Sequence, residues 1–222
     1  MSAVFITGTD TDVGKTIATL SLAFVLRQQG YTVGIMKPIQ CSGEDAAFLK
    51  SSLDIDDEYN LINPYFSDKP LSPHIVFLDH KEQIDIDQIK NNLNILNSKY
   101  DFVLVEGAGG LMVPIKADYL MLNLIKDLSL DLIIVSRLGL GTINHSLLTI
   151  NIARLNGVAI LGLIFNQEHK NIAPILKETN PKAVKEFGDV SVLGKIPYLD
   201  DFREETILNE VEIDIDAIIK TK

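Results

Sequence analysis

The sequence has a single cysteine, Cys41, among its 222 residues. One thiol excludes an internal disulfide framework. Positive charge is also scarce: 20 Lys and Arg stand against 30 Asp and Glu, for a formal net charge of -10. Grip on a nucleic-acid backbone needs a broad basic face, so no nucleic-acid partner is expected and any functional lysine is a local exception. Long hydrophobic runs are missing as well. The longest, residues 158–165, falls well short of the ~20 apolar residues that span a bilayer, and no membrane partner is expected. No basic segment precedes an apolar run of secretory length at the N-terminus, so the expected location is cytoplasmic. Repeats, linkers and low-complexity tracts are not evident, and residues 1–222 are expected to form one domain. What is present is a globular balance, 46% hydrophobic and 23% charged, with enough apolar mass for a sizeable core.

Short β-branched runs at 4–7, 32–36, 102–106, 132–136, 160–166 and 192–196 are continuously apolar rather than alternating. That pattern predicts strands covered on both faces, as in a parallel sheet. Helical patterns lie between them. Residues 15–29 are apolar nearly all round and stop at Gly30, a suitable C-terminal cap. Ile86, Ile89, Leu93 and Leu96 mark one helix face, and Leu148, Ile152 and Leu155 mark another that stops near Gly157. Repeated strand–helix alternation predicts an α/β fold: a doubly wound, mostly parallel sheet with helices on both faces. Residues 60–81, with Pro64, Pro70 and Pro73, predict a loop-rich insertion. The acidic stretch 200–216 is weakly patterned, and a short helix is expected at 217–220.

The chemistry begins at "GTDTDVGKT", residues 8–16. A glycine-rich turn after a first strand, entering a helix, aims backbone N–H groups and the positive end of the helix dipole at an anion. Lys15 can reach the β- and γ-phosphates of a nucleotide, and the Thr16 hydroxyl can bind Mg²⁺. The loop encloses one residue more between its glycines than the usual pattern. "VEGAGG", residues 105–110, places Glu106 at a strand's carboxyl end, where ligands bind in such sheets; a solvated glutamate on a glycine turn is the plainer alternative. Pro38 biases Lys37 toward extended backbone at the end of the second strand, as a second cation or a surface lysine. Asp45 opens the next helix, either favouring its N-terminus or serving as a metal carboxylate. His74, His80, His145 and His169 show no metal-ligand spacing, and no Ser-His-Asp pattern stands out.

Together "GTDTDVGKT", "KPI", "EDA", "NPY", "SPH", "VEGAGGLMVPI", "GTINH", "FNQ" and "GKIPYL" occur in an order that resembles the dethiobiotin synthetases, from about residue 3 to residue 200. The resemblance implies a P-loop NTPase-like ligase using ATP and Mg²⁺. It implies that 7,8-diaminononanoate is carboxylated by CO2 and closed to a cyclic urea, dethiobiotin, through a carbamate and a carbamic–phosphoric anhydride. The family's own loop has the longer spacing. Lys15, Lys37 and Thr11 are the implied catalytic residues. Asp12, Val13, Gly14, Lys15, Thr16 and Ile17 are the implied nucleotide cradle, with Asn166 reading the adenine and Pro197, Tyr198 and Leu199 packing on it. Thr11, Lys37, Cys41 and the helix start at Thr142, Ile143 and Asn144 are implied substrate contacts, the last three from the partner subunit of a homodimer with a shared site. Thr16, Asp45 and Glu106 are the implied metal ligands. Cys41 departs from an expected Ser or Thr, and the loop between Ser42 and Asp45 is very short. The competing reading is a dimeric P-loop ATPase switch of the partition or septum-positioning type. Such proteins carry an extra lysine early in the loop, and 8–13 has none; the acidic tail is also unlike a basic membrane helix.

Overall fold

The computed structural model describes residues 2–78 and 83–220. From the N-terminus, β1 (Ser2–Gly8) runs through a loop into α1 (Lys15–Gln28), and the chain returns as β2 (Val33–Met36). A stretch of short elements follows: β3 (Ile39–Cys41), α2 (Asp45–Ser52), α3 (Tyr59–Ile62), β4 (Tyr65–Ser67) and α4 (Pro73–Val76). Next come α5 (Ile86–Lys99), β5 (Phe102–Gly110) and a small hairpin of β6 (Pro114–Lys116) and β7 (Tyr119–Leu120). Alternation resumes with α6 (Met121–Leu128), β8 (Asp131–Arg137), α7 (Thr142–Leu155), β9 (Ile160–Asn166), α8 (Pro174–Gly188) and β10 (Val192–Ile196). The described chain ends with α9 (Glu204–Glu210), β11 (Glu212–Ile213) and α10 (Asp216–Ile219).

The main sheet has the strand order β11-β10-β9-β8-β1-β5-β2. Every neighbouring pair is parallel except β11, which runs antiparallel on β10. Alternate side chains of each strand enter different cores. Val4 and Ile6 join Ile35, Leu104, Ile133 and Val135 on one face, closed by Leu22 of α1, Leu49 of α2, Ile207 of α9 and Ile218 of α10. Phe5 joins Val103, Val105, Ile134 and Phe165 on the other, closed by Leu93 of α5, Ile125 of α6, Ile150 of α7 and Val184 of α8. Both faces being buried is why the strands read as unbroken apolar runs. Each large side chain so buried contributes about 1.5–3 kcal/mol against chain entropy. α1 sits between the sheet and α9, which accounts for its all-round apolar character. Past its end Gly30 adopts φ +87° and its N–H bonds the Arg27 carbonyl at 2.9 Å, the expected glycine stop.

Several expectations change. β5 does not stop at Glu106 but continues to Gly110, because the glycines still pair, Gly8 against Gly110. Glu106 therefore lies inside a strand, opposite Ile6. The 60–81 segment is not structureless: α3, β4 and α4 occupy it, with β4 parallel to β3, although its end near residue 81, like His80, lies outside the described residues. The acidic 200–216 stretch contains α9 and β11, and the last helix spans Asp216–Ile219. The largest correction is in α7. Of the expected face, Ile152 packs partly buried on the core, but Leu148 is 58% exposed and Leu155 81% exposed, while Thr142, Ser146, Ile150 and Ala153 are the buried residues. Both sets have helical spacing, and only the tertiary contacts decide which one faces inward.

Candidate active site

The carboxyl ends of β1, β2 and β5 converge on one cleft of about 400 Å³. Its floor is the phosphate loop. Asp12 (φ 57°) and Gly14 (φ 91°) turn the chain so that Gly14 caps α1 without a side-chain bond. A Cβ at Gly14 would strike the Asn166 amide, so both conformation and space demand glycine there. The first backbone bond of α1 runs from Ala18 N–H to the Gly14 carbonyl at 2.9 Å. The N–H groups of Lys15, Thr16 and Ile17 have no acceptor among the described residues. Three unpaired donors at a helix N-terminus make an anion cradle.

Two cations and two carboxylates face this cradle. Lys15 is only 7% exposed, and its ammonium donates to the Asp10 carbonyl at 3.1 Å. Burial, reinforced by the like charge of Lys37, pushes its pKa down to about 8, against the pull of Glu106, Asp45 and Asp12. Lys37 follows β2 and is held by its own backbone: its N–H donates to the Ile62 carbonyl at 2.9 Å, and Asn63 Nδ2 donates to its carbonyl at 2.5 Å. Its Nζ donates to Glu106 Oε1 at 2.5 Å and to Asp45 Oδ2 at 2.7 Å. Burial alone would lower the Lys37 pKa, but the two carboxylates outweigh it and hold the pKa above the ordinary lysine value. Thr16 Oγ1 donates to the same Glu106 oxygen at 3.0 Å. Thus Lys37 is not a free second cation; it is shared between Asp45 and Glu106.

Opposite the cradle, Gln40 shapes the wall. It is 1% exposed. Its amide nitrogen donates to the Ser42 carbonyl at 3.3 Å and to the Gly43 carbonyl at 2.8 Å, and its oxygen accepts from Ala46 N–H at 3.0 Å. One side chain thereby ties down a loop in which Ser42 and Gly43 both have positive φ, and caps α2 from outside. This is how so short a loop delivers Asp45 to the cleft. Cys41 lines the cleft half-buried, and burial pushes its thiol up to about 11, partly opposed by Lys37. The thiol is protonated at neutral pH.

Of the expected site residues, Thr11, Asp12, Gly14, Lys15, Thr16, Ile17, Lys37, Cys41 and Asp45 line this cleft. Glu106 lies beneath it, fully buried. Val13 is also fully buried, and its carbonyl accepts from Asn166 Nδ2 at 3.2 Å, so Asn166 is stitched to the back of the loop. Tyr198 is exposed beneath the Lys170 ammonium, 5.7 Å from its ring centre, whereas Leu199 packs into the core on the α1 side. Thr142, Ile143 and Asn144 do begin α7, yet they lie outside this cleft. Gly141 is the cap, and neither Thr142 nor Asn144 caps by its side chain.

A family model described as an AAA domain matches residues 2–206. The ATP-dependent dethiobiotin synthetase BioD of Methanococcus vannielii is 42% identical over 201 residues, 90% of this chain and 95% of that protein. The protein of the same name from Methanocaldococcus jannaschii is 40% identical over 222 residues, 98% of this chain and 100% of that one. The chain belongs to the dethiobiotin synthetase family. Solved structures add the fold: the MinD cell division protein of Aquifex aeolicus matches with a TM-score of 0.60 at 16% identity, covering 95% of this chain and 90% of that one. A ParA family ATPase from Chlorobium tepidum matches with a TM-score of 0.57 at 14% identity, covering 100% and 94%. These distant likenesses establish a shared P-loop fold and do not favour the partition-type reading.

In this member of the dethiobiotin synthetase family, sequence reasoning missed Gln40 and the Arg137–Asp10 pair. Arg137 Nη2 donates to Asp10 Oδ2 at 3.0 Å and to the Thr11 carbonyl at 3.4 Å, bracing the phosphate loop from β8. The one available signal for Gln40 is a polar residue between Ile39 and Cys41 on an otherwise apolar strand. The site also suits a divalent ion. Glu106 Oε2 is buried without a protein partner among the described residues, while its Oε1 accepts from the Thr16 hydroxyl and from the Lys37 ammonium that also holds Asp45. Hard oxygen donors, some of them anionic, fit Mg²⁺.

Proposed function

We propose that this chain is an ATP-dependent dethiobiotin synthetase, working as one ligase domain over residues 1–222. It converts 7,8-diaminononanoate, CO2 and ATP to dethiobiotin, ADP and phosphate. The observation that carries this reading is the gathering of Lys15, Thr16, Lys37, Asp45 and Glu106 around one anion cradle, in a chain that matches named synthetases over nearly its whole length.

One substrate amine adds to CO2 and forms a carbamate. A carbamate oxygen attacks the γ-phosphorus, ADP leaves, and a carbamic–phosphoric anhydride results. The neighbouring amine attacks the anhydride carbonyl, phosphate leaves, and the five-membered urea closes. No protein nucleophile is needed, since charge stabilisation and orientation carry such a reaction. Lys15 and the N–H groups of residues 15–17 hold the phosphates. Lys37 and Thr11 face the carbamate. Thr16, Asp45 and Glu106 would hold Mg²⁺, which neutralises phosphate charge when bound. Asn166 reads the adenine beside Pro197 and Tyr198, and Leu199 supports that loop from the core. The turn at Thr142, Ile143 and Asn144 takes the substrate's carboxylate in the partner's site.

A homodimer is supported by Met112 and Leu148, 56% and 58% exposed, which line one apolar depression together with Ile152. Its solution mass tests this. No described helix is long and apolar enough to cross a membrane, in keeping with a cytoplasmic enzyme of small-molecule metabolism. The direct test feeds isotopically labelled bicarbonate with Mg·ATP and the diamine and weighs the product. One labelled carbonyl gained per diamine is expected; an unlabelled or unchanged diamine contradicts the proposal.

A further inference from the structure

Away from the cleft, a cluster of hydroxyl groups lies where the phosphate loop, β8 and α7 meet. Ser136 Oγ is 2.7 Å from Thr142 Oγ1, 2.8 Å from Ser146 Oγ and 3.3 Å from Thr9 Oγ1. Ser136, Thr142 and Ser146 are each 0% exposed. A hydroxyl has one hydrogen and two lone pairs, so three hydroxyl partners use the whole capacity of Ser136. It is the hub, and no other described hydroxyl contact joins the remaining three to each other.

At the start of α7 the fully buried residues are Thr142 and Ser146, flanked by the partly buried Ile143 and Leu147, which pack on the core. Aliphatic contacts tolerate small slides and rotations; a saturated hydrogen-bond set fixes both. The turn it fixes is open. His145 N–H bonds the Gly141 carbonyl at 3.2 Å, but the N–H groups of Ile143 and Asn144 have no acceptor among the described residues. From the other side, Asn180 of α8 donates to the Leu138 and Gly139 carbonyls at 2.9 and 3.3 Å, holding the loop before the turn.

We propose that Ser136 is a positioning residue for recognition of the substrate's carboxylate: its hydroxyl locks the first turn of α7 against the phosphate loop, which aims the Ile143 and Asn144 N–H groups at an anionic group. This rests on the ligase reading, in which that turn takes the acid tail of the diamine. The hub confers selectivity for an acid over a neutral analogue and takes no part in phosphoryl transfer.

The test compares the diamine acid with its neutral methyl ester in steady-state kinetics of the full chain. In Ser136→Ala, kcat/KM for the acid is expected to fall about tenfold, the scale of leaving buried hydroxyls without their partner. The ester and the KM for ATP should change by less than about twofold on that account. Thr142→Val, which keeps shape and deletes the hydroxyl, should repeat the selective loss, and Thr142→Ser should restore it. If Ser136→Ala does not fold, Ser146→Ala removes one arm of the same hub and is read the same way. An acid-to-ester preference in the variants equal to that of the parent overturns the positioning role. So does a loss shared equally by acid, ester and ATP, which marks a general structural defect. A parent protein that turns over neither diamine overturns the ligase reading and this inference with it; one that turns over the acid while the variants keep their preference overturns the inference alone.

Discussion

At Lys37 one ammonium serves two carboxylates, Asp45 and Glu106, with the lysine 3% and the glutamate 0% exposed. Removing one partner from such a cluster leaves charge buried and uncompensated, so the informative substitution keeps a donor. Lys37→Gln is predicted to lower kcat by at least about a hundredfold, the scale of losing one charge-stabilising donor, with an unchanged circular dichroism spectrum. Turnover near that of the parent would remove Lys37 from the mechanism. Cys41 makes the opposite case. Its protonated thiol is a weak donor, and Cys41→Ser is predicted to leave kcat within about threefold and to keep or lower the KM for the diamine; a large loss in the same assay would mean the thiol has a role of its own. Lys15 and Thr16 are legible in the sequence through the glycine-rich turn that enters a helix, and Lys37 and Glu106 because each ends an apolar strand-like run. Gln40, Arg137 and Ser136 are not, since their partners are backbone groups, hydroxyls and the Asp10 carboxylate, placed beside them by the fold.

Among the elements, six strands of the main sheet are foretold, whereas the short strands β3, β4, β6, β7 and β11 are not. Residues 160–166 and 192–196 are strands to the residue, because burial on both faces imposes a composition that tolerates few exceptions. α7 shows the limit of periodicity: Leu148 and Leu155 mimic a core stripe while Thr142 and Ser146, which read as polar, face inward. The short elements α3, β4 and α4 escaped because prolines and brief runs resemble loop. They are nonetheless pinned. Asp57 accepts from Lys99 Nζ at 2.5 Å and from Tyr100 Oη at 2.6 Å, joining the end of α5 to the chain ahead of α3. Burial pushes the Asp57 carboxyl up, but the bonds from Lys99 and Tyr100 outweigh this and hold its pKa below the ordinary value. A carboxylate depressed in the folded state adds stability above its unfolded pKa of about 4, lost as pH falls through the folded value. Asp57→Asn is therefore predicted to cost about 1–3 kcal/mol at pH 7 and to flatten the loss of stability below about pH 4. Urea melts of both proteins at neutral and acid pH check it, and equal acid sensitivity in the variant would contradict the assignment.

Over the whole molecule, the sheet order places β1 between β5 and β8, so the phosphate loop opens at the carboxyl edge with Glu106 on one side and the α7 turn on the other. Ligands bind at this edge of parallel sheets, and a net charge of -10 leaves the buried lysines as local exceptions that select an anion. The central claim is that this edge spends ATP only to close a ring on a diamine. The measurement that tests it most directly is phosphate release from Mg·ATP with bicarbonate, with and without 7,8-diaminononanoate. Release is expected to require the diamine and to match the product formed one for one. Release at the same rate without the diamine, or none with it, would overturn the ligase assignment and leave a P-loop ATPase fold whose task lies elsewhere.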